Sequence, residues 1–298
     1  MVVSTANPIR PSGLRAGQTL TLLDGGELGS DFEAVDATLN IEGGNLGISS
    51  GATNSTVNIS GGSVDANFVA YSGSEINISG GVVDGNLQAN SDSQVNISGG
   101  TVGSRFFAES GSEVNISGGE VGSEFGADSN TVVNISGGFV SFSFDAFSGS
   151  EVNISGGAVS RDFNVRSGGV ANISGGTVGR NFEARPGSDV ELVGGEFQLN
   201  GTPFSSPTIS LSENDIFTGT LTDGSTFIFA LDDILSSVTL TSGVLPTLDL
   251  SPMVVSTADP IRPSGLRAGQ TLTLLEGCLL YTSPSPRDAT LSRMPSSA

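Results

Sequence analysis

Hydrophobic and polar residues repeat with a 19-residue period through most of the chain. The motif N-I-S-G-G, preceded by valine in five coils and by Ile76 and Ala171 in the other two, carries its asparagine at seven positions that are spaced 19 residues apart. Weaker copies extend the series to Glu191, one period later, and to Asn40 and Leu22, each 18 residues earlier. Such a fixed period predicts a solenoid, because one short unit cannot bury its apolar side alone. The seven positions are Asn58, Asn77, Asn96, Asn115, Asn134, Asn153 and Asn172.

Each period predicts three short strands. With the asparagine counted as position 0, apolar residues recur at −1, +1, +6, +10 and +12. The pairs −1/+1 and +10/+12 alternate with the period of two that is typical of strands. Corners rich in glycine and serine separate these strands, and glycine tolerates the positive φ of such corners. The predicted fold is therefore all-β: a parallel β-helix (β-solenoid) of about ten coils of 19 residues, with three short strands per coil and a right-handed winding.

Position +10 predicts a column of large apolar side chains inside the solenoid. Phenylalanine occupies it in six coils and Leu87 in another. The coil of Asn40 has one residue fewer and places Ser50 near this position, so we expect Ile48 to fill the gap. Stacked rings add on the order of 1 kcal/mol per pair beyond their burial. The six phenylalanines are Phe68, Phe106, Phe125, Phe144, Phe163 and Phe182.

An internal duplication indicates a tandem array. Residues 1–25 return as residues 253–277 with two substitutions, Asn7 to Asp259 and Asp24 to Glu276. We interpret the chain as one full module followed by the beginning of the next. The duplication fails at Cys278, and residues 278–298 closely resemble a translated sequencing-adapter sequence, which makes them a non-native tail.

Four segments precede this tail. The repeat ends at Leu199, and the following residues predict a hairpin on the turn Asp223-Gly224. An open solenoid end requires a cover, because exposed strand edges template aggregation. We predict an N-terminal cap or connector at residues 1–21, the β-solenoid at 22–199, a C-terminal β cap or connector at 200–252, and the start of a second tandem module at 253–277.

The charge balance narrows the choice of partners. Acidic residues number 31 against 11 basic ones, all of them arginine, for a net charge of −20. This charge argues against a nucleic-acid partner and suits an extracellular or cell-surface protein. No apolar run approaches the roughly 18 residues of a membrane span, so we expect no membrane insertion. No secretion signal opens the sequence, but Met253 repeats Met1 inside the chain, so we treat the sequence as a fragment.

The usual catalytic bases and nucleophiles other than carboxylates and hydroxyls are missing from the sequence, which leaves only a carboxylate or arginine site conceivable. It has no histidine and no lysine, and its one cysteine, Cys278, lies in the tail. The coils carry no insertions that could build a cleft. The Gly-Gly corner also lacks the aspartate that calcium-binding β-rolls place after their glycines. We predict a protein that is not an enzyme and that uses no cofactor and no metal.

The asparagine column permits two interpretations. Each N-I-S triplet is an N-glycosylation sequon. Sugars on consecutive coils, about 4.8 Å apart, would however collide. We therefore predict that the seven asparagines form a structural ladder of side-chain amides, as stacked asparagines do in other cross-β arrays. Sporadic glycosylation is the alternative.

A second face varies from coil to coil at positions +9, +11 and +13. We predict that aromatic residues on it are exposed as contacts for a ligand, the alternative being neutral drift on a solvated face. Arginines on this face could bind an anionic polysaccharide or pair with nearby carboxylates such as Asp162 and Glu183. The predicted partners are a polysaccharide or cell-surface glycan and the neighbouring tandem modules. The predicted binding face consists of Tyr71, Arg105, Phe107, Phe147, Arg166 and Arg185.

The V-N-I-S-G-G coils with F-x-A-x-S-G-S-E turns resemble the repeats of large secreted β-helical surface proteins of aquatic bacteria. This resemblance implies a build similar to that of adhesins and cell-envelope proteins, and it transfers no functional residue. We predict a non-catalytic extracellular structural or adhesive module of a larger surface protein. One alternative is an ice-binding β-solenoid, because the Asn-x-Ser face is flat and regular. A carbohydrate-binding or carbohydrate-processing β-helix protein is the other.

Overall fold

The computed structural model describes residues 1–5, 11–212, 214–230 and 233–245, together with two short strands at 253–255 and 272–274. The described residues contain strands and no helix, and thus no helix that could cross a membrane. The strands stack in parallel in about ten turns of roughly 19 residues, so the predicted β-solenoid is confirmed. The chain forms two compact units, Met1–Pro246 and Thr247–Ala298.

The N-terminal coils have short, separate strands, three to a coil where the repeat is regular. The ladder already includes the first strand, because Val2 pairs in parallel with Thr21. The strands are β1 (Val2–Val3), β2 (Gly13–Leu14), β3 (Thr19–Leu22), β4 (Glu27–Leu28), β5 (Glu33–Val35), β6 (Thr38–Ile41), β7 (Asn45–Leu46), β8 (Gly51–Thr53), β9 (Thr56–Ile59), β10 (Ser63–Val64), β11 (Val69–Ala70), β12 (Glu75–Ile78), β13 (Val82–Val83) and β14 (Gln88–Ala89).

From the coil of Asn96 onward, the first two predicted strands join into one strand that bends at the Gly-Gly pair. The second glycine of the pair has a positive φ, 74° at Gly119, so the chain turns while its neighbours stay bonded to the next coil. The strands are β15 (Gln94–Val102), β16 (Phe107–Ala108), β17 (Glu113–Val121), β18 (Phe125–Ala127), β19 (Val132–Val140), β20 (Phe144–Ala146), β21 (Glu151–Val159), β22 (Phe163–Val165), β23 (Val170–Val178), β24 (Glu183–Ala184) and β25 (Asp189–Leu199).

Two sheets enclose the core. The larger sheet contains the strands around positions −1/+1 and +6, and the smaller one contains the strands around +11 and +12. Consecutive coils stack in register, as in the pairs Glu75 with Gln94 and Gln94 with Glu113. The apolar residues at positions −1, +1, +6, +10 and +12 point inward and are buried. Each outward position therefore has its counterpart in the next coil directly above it.

The phenylalanine column forms inside the solenoid. Rings on neighbouring coils from Phe106 to Phe182 stack with centroids 4.5 to 5.3 Å apart. The expectation for Ile48 was wrong, since its side chain is 49% exposed. Ser50 occupies the slot instead, because β8 pairs Gly51 with Val69 and thereby sets Ser50 level with Phe68. Its buried hydroxyl donates to the Gly47 carbonyl at 2.7 Å.

The first coil is shifted by one residue from the predicted register. Asn40 pairs with Thr21 rather than with Leu22, and Leu22 pairs with Ile41. Burial explains the difference, because Leu20 and Leu22 both point into the core, and a one-residue slip would turn them outward.

The C-terminal part of the larger unit combines an antiparallel cap with one more parallel turn. The hairpin on Asp223-Gly224 forms and pairs with the end of β25, and Phe229 extends the ring stack to Phe182 at 5.2 Å. The chain then resumes the parallel ladder, where Thr239 pairs with Glu191. The strands are β26 (Thr202–Pro203), β27 (Thr208–Ile209), β28 (Ile216–Leu221), β29 (Thr226–Ala230), β30 (Ile234–Leu235) and β31 (Val238–Ser242).

The smaller unit contains two described strands, β32 (Met253–Val255) and β33 (Leu272–Leu274). They pair in parallel with Val254 opposite Thr273. The first copy of the duplicated segment pairs Val2 with Thr21 in the same way. The other residues of 253–277 and the whole predicted tail, 278–298, lie outside the described residues.

Candidate functional site

The constant face of the solenoid is a continuous ladder of asparagine amides. From Asn58 to Asn172, each Nδ2 donates to the Oδ1 of the asparagine one coil earlier, at distances of 2.8 to 3.1 Å. Because the coils are in register, identical amides lie one above another and each can donate and accept along the axis. We call this set the asparagine ladder. It comprises Asn40, Asn58, Asn77, Asn96, Asn115, Asn134, Asn153 and Asn172.

Several ladder amides donate a second bond to the residue two positions earlier. Asn77 donates to Glu75 at 3.2 Å and Asn115 donates to Glu113 at 2.9 Å. Both amide hydrogens of these asparagines are therefore used within the protein. N-glycosylation would attach a sugar to the same Nδ2 atom, so a glycan and the ladder compete for it.

The variable face consists of the outward residues at positions +9, +11 and +13. Position +9 has a positive φ in successive coils, for example 66° at Asn67 and 67° at Arg105. Asparagine tolerates this conformation better than most residues. Contacts between neighbours on this column are local pairs, such as Asn86 Nδ2 to Asn67 Oδ1 at 2.8 Å.

The three predicted aromatic contacts have different surroundings. Tyr71 and Phe107 are 40% and 38% exposed. Phe147 is only partly exposed, and the Arg166 guanidinium lies 5.1 Å from its ring centroid. Phe107 and Phe147 converge over Gly126, where an added Cβ would lie 3.3 and 3.4 Å from their rings. Tyr71 similarly covers Gly51, so both glycines are buried although they belong to an outward column.

The predicted arginines are all engaged with carboxylates. Arg105 pairs with Glu124 at 3.1 Å, on the edge of the variable face. Arg166 pairs with Asp145 at 2.8 Å while it covers Phe147. Arg185 pairs with Glu183 at 2.5 Å. Of the two roles that the sequence left open for these side chains, the geometry favours pairing with carboxylates over binding of an anionic polysaccharide.

A shallow depression of about 540 Å³ follows position +13 along four coils of the variable face. Tyr71, Asn90 and Glu109 occupy this position on three successive coils, since the backbone N–H of each donates to the carbonyl of the preceding coil. We call this depression the trough. Its lining residues are Thr53, Tyr71, Ser72, Asn90, Ser91 and Glu109, with Ser110 at its end.

Like charges meet at one end of the trough. Burial raises the pKa of the Glu109 carboxyl above its ordinary value, and the neighbouring Asp128 carboxyl, which is hydrogen-bonded to it, raises the pKa further. The constant face avoids this arrangement, because uncharged Gln94 and Val132 flank Glu113. Two carboxylates therefore lie next to each other at the end of the trough, whereas no two carboxylates are adjacent around Glu113 on the constant face.

No protein-family model and no curated protein sequence matches the chain. Among solved structures, the chain is similar to the crystal structure of a TibC-catalyzed, hyper-glycosylated fragment, TibA55-350, with 18% sequence identity and a TM-score of 0.43. The likeness covers 82% of this chain and 96% of that chain.

Sequence reasoning missed two exposed aromatic residues and the trough. Phe139 and Phe142 are 39% and 41% exposed, and Arg161 lies 5.0 Å from the Phe142 ring centroid. Phe139 and Phe142 occupy positions +5 and +8, outside the variable face. Asn90 was missed because nothing in the sequence of its own coil distinguishes it as a contact residue. Stacking position +13 of successive coils in one column would have placed Asn90 between Tyr71 and Glu109.

The described residues offer no built metal site, since no group of three or more Cys, Asp or Glu side chains in them is placed to hold an ion. A second depression on the variable face is lined by Asp162, Asn164, Asn181, Glu183 and Arg185. Each of its charged side chains already has a neighbour in the protein: Asn181 donates to Asp162 at 2.7 Å, and Arg185 forms an ion pair with Glu183. The trough is therefore the better candidate for a ligand.

Proposed function

We propose that the chain is a non-catalytic, extracellular structural and adhesive module of a larger surface protein. One observation carries the proposal: the same stack of parallel coils presents one face whose side chains bond to each other from coil to coil and another face whose side chains vary. The first face gives the module a rigid axis. The second can change its side chains without disturbing that axis.

The geometry gives less support to the alternatives. Ice binding needs a regular face that is free to order water, but the ladder amides are bonded to one another. Carbohydrate processing needs catalytic groups that converge on a substrate in an enclosed pocket. The adjacent carboxyls of Glu109 and Asp128 instead lie at the end of an open trough. Adhesion requires only exposed, varied side chains on a stable support.

Surface display of the full chain tests this proposal. We expect a non-adherent bacterium that displays the chain to attach several-fold more to polysaccharide-coated surfaces or to other cells than an undisplayed control does. Display of a Gly118→Ala variant, in which the coil stacking is disrupted, is the matched control and should lose the gain. Equal attachment with and without the chain would overturn the proposal. Release of reducing ends from polysaccharides, or thermal hysteresis, would favour an enzyme or an ice-binding protein instead.

A further inference from the structure

The trough brings three chemically different side chains into one column. Tyr71, Asn90 and Glu109 follow one another on consecutive coils, which lie about 4.8 Å apart. Phe107 lies two residues before Glu109 on the same outward face and adds a second exposed ring beside the trough. An extended ligand that lies along the solenoid axis would therefore meet a ring, an amide and a carboxylate in turn.

Two polar side chains of the trough, Tyr71 and Asn90, are free for a ligand, in contrast to the asparagines of the ladder. Within the described part of the chain, no hydrogen bond engages the Tyr71 hydroxyl or the Asn90 side-chain amide. The Ser91 hydroxyl donates to the Ser110 carbonyl at 2.6 Å, and its oxygen can still accept a bond. The trough thus offers both donors and acceptors that are not already used.

The charge of the trough selects against anionic ligands. None of its lining residues is basic. The arginines elsewhere on the face, Arg105 and Arg166, are held by Glu124 and Asp145. Glu109 and Asp128 contribute negative charge at the trough end. A uronate or sulfate group would be repelled here, whereas an uncharged hydroxyl group could donate to the carboxylate.

We propose that the trough binds a neutral polysaccharide strand that lies along the solenoid axis. The Tyr71 ring packs against the apolar face of a pyranose unit, and Asn90 and Glu109 bond the hydroxyls of the following units. Exposed rings with a few convergent polar groups are typical of sites that take such amphipathic ligands. The pyranose unit of an extended polysaccharide is about as long as the coil spacing of about 4.8 Å. This inference rests on the proposed adhesive function and names its ligand.

Affinity electrophoresis of the full chain tests the ligand class. The probes are neutral polymers (dextran, laminarin, hydroxyethylcellulose, galactomannan and xylan) and anionic polymers (alginate, polygalacturonate and heparin). We expect at least one neutral polymer to retard the chain and no anionic polymer to do so. The Tyr71→Ala and Asn90→Ala variants should each raise the dissociation constant at least tenfold. Oligosaccharides of the binding polymer should gain affinity up to about four units, the number of coils that the trough spans.

Phe139→Ala is the matched control, because Phe139 is as exposed as Tyr71 but lies outside the trough. It should leave the retardation unchanged. Retardation by none of the neutral polymers would overturn the inference, and so would retardation that survives the Tyr71→Ala/Asn90→Ala double variant. If the displayed chain still promoted attachment in either case, the proposed function would stand with a different ligand.

Discussion

The asparagine ladder and the variable face lie on the same coils, yet they use their side chains in opposite ways. In the ladder, each amide bonds its neighbours on both sides, as Asn115 does with Asn96 and Asn134. On the variable face, side-chain contacts stay local and form no continuous column, as between Arg105 and Glu124. A substitution in the ladder therefore breaks bonds to two coils. A substitution on the variable face affects only a few local partners, such as Asp145 and Phe147 beside Arg166.

This difference explains why the same residue recurs in one column of the stack, whereas the residue type varies from coil to coil in another. The backbone ladder supports every coil regardless of the outward side chains. Side chains contribute most to stability where they fill the core, form a tight corner or continue a bonded column. Substitutions at matched positions on the two faces should therefore differ in how much stability they cost.

The largest difference is expected between two glycine substitutions. At the ladder corner, a Cβ on Gly118 would lie 2.3 Å from the Ser98 carbonyl oxygen, a backbone atom that cannot move without breaking the stack. We expect Gly118→Ala to lower the free energy of unfolding by about 3 kcal/mol. The shift of the urea midpoint at unchanged slope measures this loss.

Gly126→Ala on the variable face is the matched control. Its Cβ would meet only the rings of Phe107 and Phe147, at 3.3 and 3.4 Å, and these side chains can rotate away. We expect a loss below about 1 kcal/mol. Equal losses of stability in the two alanine variants would show that both faces constrain the backbone equally, contrary to this prediction.

A second pair compares the asparagines themselves. Asn115→Ala removes donors to Asn96 and Glu113 and the acceptor for Asn134. We expect it to cost about 1 to 3 kcal/mol, because half-buried polar partners lose their bonds. Asn90→Ala, in the trough, should change stability by no more than about 0.5 kcal/mol. Chemical denaturation of both variants measures the difference, and a cost at Asn90 as large as that at Asn115 would contradict it.

The two faces were predictable from the sequence to different degrees. Identical residues at a fixed period stack on themselves, so the coils, the phenylalanine column and the position of the asparagines follow from the pattern alone. In the two coils where the repeat is irregular, the register is decided by which side chains are buried, and the repeat alone does not show this. The pairing of Thr21 and the exposure of Ile48 were missed for this reason. The contact of the Tyr71 ring with Gly51 joins two coils, 20 residues apart in sequence. The pattern within one coil therefore could not predict this contact.

An ion pair of the variable face should have a smaller effect. Asp145→Asn removes the charge that holds Arg166 at 2.8 Å, in a pair that is partly exposed to solvent. Such pairs contribute about 0.2 to 1 kcal/mol, and salt screens them. We expect a loss of about 0.5 kcal/mol that shrinks when unfolding is measured at high salt. A loss that salt leaves unchanged would mean that Asp145 acts through packing rather than through its charge.

The smallest effect concerns Glu109 and depends on pH. Burial and the neighbouring Asp128 raise the pKa of Glu109 above its ordinary value of 4.5, so the folded protein holds a proton where the unfolded chain has lost it. This contribution to stability is fully present below pH 4.5 and is lost as the pH rises through the raised pKa.

At neutral pH the charged Glu109 therefore opposes folding, and Glu109→Gln should raise the unfolding temperature slightly. The gain should vanish below pH 4.5, where glutamine and protonated glutamate are nearly equivalent. Thermal unfolding followed by circular dichroism across this range measures it. Glu113→Gln on the constant face is the control and should bring no gain, because Glu113 accepts a bond from Asn115 and has uncharged neighbours on both sides. A gain at Glu113 as large as that at Glu109 would mean that the total negative charge, rather than the stacking of like charges in the trough, limits stability.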